Sequence, residues 1–144
     1  MATFTKLNGF VENLAEKVFN LGSDQLVVAL SNTAPGSEST PPTGTAAQCI
    51  LANVTQISYT NCSSRNITTS SSTQTSGTYK LVLTDLVLTA SGTVGPFRYV
   101  YVYSDTATND ELICYYDYGS SITLNASETL TIDFDGTNGL LTVA

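Results

Sequence analysis

Residues 95–104 read Gly-Pro-Phe-Arg-Tyr-Val-Tyr-Val-Tyr-Ser, and this stretch decides the class of fold. Phe97, Tyr99, Tyr101 and Tyr103 alternate with Arg98, Val100 and Val102. Aromatic and β-branched residues at every second position are the signature of a strand. Apolar groups stand on both faces, so this strand is expected to be central or covered on both sides.

The same reading extends outward. Downstream, Asp105 to Asp110 is a turn, followed by a strand from Glu111 to Tyr118. Gly119-Ser120 is expected to turn into Ile122–Leu124, and Asn125-Ala126-Ser127 into a strand from Glu128 to Phe134. In that strand Leu130, Ile132 and Phe134 face inward, opposite Thr129, Thr131 and Asp133. A turn over 135–139 leads to a short closing strand from Leu140. Upstream, Tyr79, Leu81 and Leu83 alternate with Lys80, Val82 and Thr84, and Asp85 interrupts before Leu86–Thr89, predicting a bulge or bend that shifts the inward face by one position.

The first half is less regular. Leu7, Phe10, Val11, Leu14, Val18 and Leu21 recur at three- and four-residue spacing, which predicts one amphipathic helix over 6–20 with Thr5 as N-cap and Gly22 as C-cap. Gln25–Leu30 reads as a strand. Residues 36–47, with Pro41-Pro42 and Gly44, read as an exposed loop. A short strand is expected over Val54–Tyr59 and an edge strand over Arg65–Thr69, with Ser70–Ser76 flexible. No helical pattern follows residue 22, which removes parallel α/β organisation with its crossover helices. The expected architecture is an all-β, antiparallel β-sandwich, jelly-roll-like or another Greek key, with one N-terminal helix. A flattened barrel is the runner-up.

The chain has 144 residues, room for a single core, so 1–144 is read as one domain. Five basic residues against 12 acidic give a net charge of -7, and Lys6, Lys17, Arg65, Lys80 and Arg98 are scattered. Nucleic-acid binding, which needs clustered cations to displace counterions, is not expected. No stretch approaches a membrane span, and the first residues lack the order of a signal peptide, so neither membrane insertion nor export by that route is expected.

Catalytic chemistry has little material. There is no His to serve as proton shuttle or to activate a serine. Asp133 and Asp135 could form the acid pair of a glycoside hydrolase, but they flank a Gly-rich turn and read better as turn residues. The acidic runs 105–111 and 133–136 do not match the ligand order of a calcium loop. No catalytic, cofactor or metal residues are therefore assigned. Cys49, Cys62 and Cys114 read as free thiols, with a Cys49–Cys62 disulfide as the alternative. Four Asn-x-Ser/Thr matches, at Asn53, Asn61, Asn66 and Asn125, are expected by chance where 39 of 144 residues are Ser or Thr. Eight tyrosines with no Trp are the remaining signal. Tyr99, Tyr101, Tyr103, Tyr116 and Tyr118 could be core, a subunit-contact surface or a sugar- or base-stacking platform.

Three segments carry a resemblance that spans nearly the whole chain: FVENLAEKVFNLGSDQLVVALSNTAP from Phe10, TSGTYKLVLTDLVLTASGTVGPFRYVYVYSDT from Thr75, and DYGSSITLNASETLTIDFDGTNGLLTVA from Asp117. Together they resemble a family of small structural proteins of tailed bacteriophages. The chain is longer than the family pattern between Pro35 and Leu51. The resemblance implies a capsid decoration or cement protein on the outer surface of the virion. Such a protein binds the major capsid protein and self-associates, with a homotrimer expected. A tail or fibre component, or a carbohydrate- or receptor-binding module, are the other readings. It implies no catalytic residues, and no enzymatic activity is expected.

Overall fold

Two long strands organise the protein, seen in a computed structural model that describes residues 2–144. Strands β7 (Val94–Ser104) and β8 (Leu112–Leu124) pair antiparallel, with Tyr101 opposite Tyr115 and Val102 opposite Cys114. Strand β2 (Leu26–Ser31) flanks β7, and β1 (Thr3–Lys6) flanks β8 with Phe4 opposite Tyr116. The short β3 (Asn66–Ile67) completes a five-stranded sheet ordered β1-β8-β7-β2-β3. Every residue of β2, and every residue of β7 from Tyr99 to Ser104, is buried. The continuous apolar run at 99–103 is thus the mark of a strand covered on both faces.

Two smaller antiparallel sheets complete the fold. One contains β4 (Thr69–Thr75), β5 (Thr78–Leu83) and β10 (Leu141–Val143) in the order β10-β5-β4, and the other pairs β6 (Leu86–Thr89) with β9 (Thr129–Ile132). The break foreseen at Asp85 is where the chain leaves one sheet for the next. Leu81 and Leu83 are buried before it and Leu88 after it, so the inward face shifts by one. Asp85 Oδ1 accepts the Phe134 N–H at 3.0 Å, tying this junction to the end of β9. Ile132 and Phe134 are fully buried and Leu130 partly so, as the alternation requires. Residues of all three sheets and the helix join one contiguous apolar cluster. The accessible surface is 7129 Å², which matches the ~7,100 Å² of a folded monomer of this mass.

The first half departs from the sequence reading in several places. Helix α1 covers only Asn8–Ala15, not 6–20. Thr5 belongs to β1 and Leu7 holds the N-cap position, because the chain remains bound to β8 up to the Leu7 N–H, which donates to the Ile113 carbonyl at 3.1 Å. At the other end Lys17 has a φ of 65°, a left-handed conformation that ends the helix long before Gly22. The stripe splits accordingly: Leu7, Phe10 and Leu21 are buried, whereas Val11 is half exposed.

The loop over 36–47 is only partly exposed. Pro42 and Ala46 are buried, and a 3-10 turn at Ala46–Gln48, closed by reciprocal Thr45–Gln48 bonds, rests on α1. Asn13 Nδ2 donates to the Ala46 carbonyl at 3.2 Å. A Cβ at Gly9 would lie 2.6 Å from Cys49 Cβ and 2.9 Å from Ala46 Cα, so glycine is what permits this approach.

Three further expectations are corrected. Residues Ser70–Ser76 are not a flexible tract. Most of them form β4, because Ser76 and Gly77, at φ 52° and 85°, supply the two-residue hairpin turn that pairs Thr75 with Thr78. No strand forms over Val54–Tyr59, where a 3-10 turn at Leu51–Asn53 leaves only an isolated bridge between Ser31 and Gln56. Gly119-Ser120 is no turn between strands. β8 runs through it as a bulge, with Asp117 opposite Tyr99 and Ile122 opposite Phe97, so four residues of β8 face one of β7.

Candidate functional site

The tyrosines of β7 and β8 divide between the two faces of the large sheet. Tyr99, Tyr101 and Tyr103 share a face with Tyr115, whose ring centroid lies 5.5 Å from that of Tyr101. All three are buried within the chain, as is Tyr116, while Tyr118 is half-buried. Loop residues cover this face. Arg65 stacks 3.7 Å above the Tyr59 ring and donates to the Val28 carbonyl. Of the five tyrosines expected as a possible subunit-contact surface, Tyr99, Tyr101, Tyr103 and Tyr116 are thus buried in the single chain, and Tyr118 is the more open one.

Tyr116 and Tyr118 have a different setting. Tyr116 meets Phe4 of β1 at 5.5 Å edge to face and Phe134 at 6.2 Å. Beside them the turn after β9 opens a groove of about 740 Å³ lined by Phe4, Tyr116, Tyr118, Thr131, Asp133 and Asp135, among others. Phe4 is 40% exposed, the largest open ring of the group.

The two acids on this rim are not equivalent. Asp135 adopts a φ of 53° and gives both oxygens to its own turn: Oδ1 accepts the Thr137 and Asn138 N–H groups at 3.2 and 3.0 Å, and Oδ2 accepts Asn138 Nδ2 at 2.7 Å. The Asn138 bonds, backbone and side chain, hold its carboxyl below the usual carboxylate range. A group kept ionised in this way is a poor proton donor. Asp133 uses Oδ1 to accept the Asp135 N–H at 2.8 Å, and its other oxygen makes no bond among the described residues. Burial pushes the Tyr116 and Tyr118 phenols up, and the Asp133 charge adds to the effect, so both remain neutral hydrogen-bond donors.

Elsewhere the candidate chemistry is absorbed by structure. Glu111 accepts both the backbone N–H and Nδ2 of Asn109, at 3.0 and 2.9 Å, which closes the 105–111 turn on itself. Among the described residues no three His, Cys, Asp or Glu side chains converge to hold a metal ion. The three cysteines are free. Cys49 lies against the Leu112 carbonyl, its thiol pushed up to about 12 by burial, and Cys62 sits on a bridge to Ala90. No helix among the described residues is long and apolar enough to cross a membrane.

Sequence reasoning missed Phe4, because the apolar spacing of the helix stripe drew attention past it. The alternation Thr3-Phe4-Thr5 was the available signal. Comparison with family models, curated proteins and solved structures finds no match in any of the three.

Proposed function

We propose that this chain is a structural virion protein of a tailed phage, a decoration or cement protein that self-associates on the outside of the head shell. The three sequence segments supply the virion reading. The structural observation that carries the assembly part is β4. Its outer edge pairs with no strand among the described residues, and its sequence Thr-Ser-Ser-Ser-Thr-Gln-Thr has no charge and no proline. Proteins that stay monomeric commonly blunt such an edge with Lys, Pro or a covering loop. An edge left open and uncharged is suited to pairing with a neighbour, and closed rotational symmetry would hide every copy of it. Contact with several shell subunits at once would then add avidity.

The finer architecture belongs to the same reading. The two small sheets are taken as the second layer of a Greek-key sandwich, jelly-roll-like, closing over β8. The Tyr116–Phe134 contact and the shared apolar cluster support this. A role without catalysis is favoured because Asp135 is committed to its turn. Electron microscopy of the source particle tests the proposal. Density for this chain at three-fold or quasi-three-fold positions over the shell is expected, whereas density confined to the tail would move the assignment to a tail or fibre component.

A further inference from the structure

The groove between β1, the second half of β8 and the turn after β9 is not used by the assembly reading, and it has the composition of a binding site. Its volume of about 740 Å³ falls in the range of small-ligand pockets, roughly 300–1,000 Å³. One wall is aromatic, built from Phe4, Tyr116 and Tyr118. The other is polar, with Thr131 and the carboxylates of Asp133 and Asp135.

We infer that this groove binds a neutral sugar unit of an oligosaccharide. Three features of the wall chemistry select that class. Aromatic rings offer a flat apolar surface to the C–H face of a pyranose. The phenol hydroxyls of Tyr116 and Tyr118 and the hydroxyl of Thr131 make no hydrogen bond among the described residues, while the second oxygen of Asp133 is a free acceptor. Donors and an acceptor in one groove match hydroxyl groups, each of which both donates and accepts. The carboxylates repel phosphates, sulfates and acidic sugars. Lys80, whose charge reaches Asp135, is engaged with the Thr137 carbonyl at 3.0 Å.

An ammonium ligand is the competing chemistry, since aromatic faces and carboxylates also attract cations. The wall hydroxyls favour the sugar: several unengaged donors find acceptors on sugar hydroxyls and none on an ammonium. The inference does not rest on the virion reading, and either can fail without the other.

The test titrates the intact chain with trisaccharides of glucose, galactose and N-acetylglucosamine and with tetramethylammonium, followed by NMR. At least one trisaccharide is expected to bind and to shift the Phe4 and Tyr118 ring signals. Asp133→Asn keeps the oxygen that accepts the Asp135 N–H but turns the free acceptor into a donor, and it should weaken binding about tenfold or more. Tyr118→Phe keeps the ring and removes one donor, and should weaken binding by a smaller factor of about two to ten. Circular dichroism establishes that each variant is folded. The inference is overturned by no binding up to about 10 mM, by binding that neither variant changes, or by displacement of the sugar by tetramethylammonium.

Discussion

Arg98 and Asp117 meet at two points across the β7–β8 ladder, with Nε 2.7 Å from Oδ1 and Nη2 2.9 Å from Oδ2. It is the one ion pair among the described residues. Asp117 Oδ1 also accepts the Gly119 N–H at 2.7 Å, so a single carboxylate joins β7 to the bulge of β8.

Asp117→Asn is expected to lower the melting temperature at neutral pH. The Arg98 bonds, and then the Gly119 bond, depress the Asp117 carboxyl below its ordinary range. A depressed carboxyl stabilises the folded state above the unfolded value of about 3.9 and loses that contribution as pH falls through the lower folded value. The difference in melting temperature between wild type and variant should therefore shrink below about pH 4. A difference that stayed constant into strong acid would contradict the assignment.

Gly9→Ala tests the docking of α1 on the loop. On helix propensity alone alanine would stabilise by about 0.5–1 kcal/mol. The methyl would meet Cys49 Cβ and the Ala46 backbone, however, and overpacking of this kind costs about 1–3 kcal/mol. Urea denaturation should show net destabilisation. A stabilised variant would mean that the loop yields freely.

Leu88→Ala asks whether the smallest sheet shares the core. Leu88 is fully buried and belongs to the same apolar cluster as Val100 and Leu81. Truncation should cost about 2–5 kcal/mol in a single cooperative transition. Val87→Ala, one position along and half exposed, should change stability by about 0.5 kcal/mol or less.

Alkaline pH should unfold the protein through its tyrosines. Burial raises the phenols of Tyr59, Tyr101, Tyr103, Tyr116 and Tyr118 above their ordinary value. Below about pH 10 both states keep their protons and stability is full; above it the unfolded chain ionises first and stability falls. Tyr101 carries a second liability, since its hydroxyl is buried with no partner, as is Glu38 Oε1, whose charge adds to the Tyr101 shift. Tyr101→Phe should be neutral or stabilising by up to about 1–3 kcal/mol at pH 7 and should flatten the alkaline loss, measured by denaturation at pH 8 to 11.

What the sequence discloses follows from how local each determinant is. The alternation at 97–103 is a complete statement of a central strand, since both faces are written in consecutive residues. The step at Asp85 is equally local, because the inward parity changes on either side of it. Helix length is not. The spacing from Leu7 to Leu21 suits a longer helix, and only pairing of Thr3–Lys6 with β8 and the left-handed Lys17 divide it. The groove is hidden for the same reason: Phe4 and Asp133 are separated by most of the chain, and no local pattern brings them to one rim. The Ser/Thr tract misleads by composition, whereas the Ser76-Gly77 turn gives the better clue.

Pairing of Thr3 with Asp117 and Lys6 with Cys114 also governs the order in which the protein can be completed. During synthesis β1 leaves the ribosome before its partner has been translated, and it waits as an unpaired segment through every intervening strand. The closure spans nearly the whole chain, and such non-local pairing slows folding. Until β8 arrives, the Leu7 N–H lacks its carbonyl and the helix lacks its anchor to the sheet. A nascent chain halted before residue 112 would carry β2 and β7 without the strand that joins them to the N-terminus. Final assembly of the large sheet thus waits on translation of β8, and the partly built sheet is sensitive to concentration when many copies are made together.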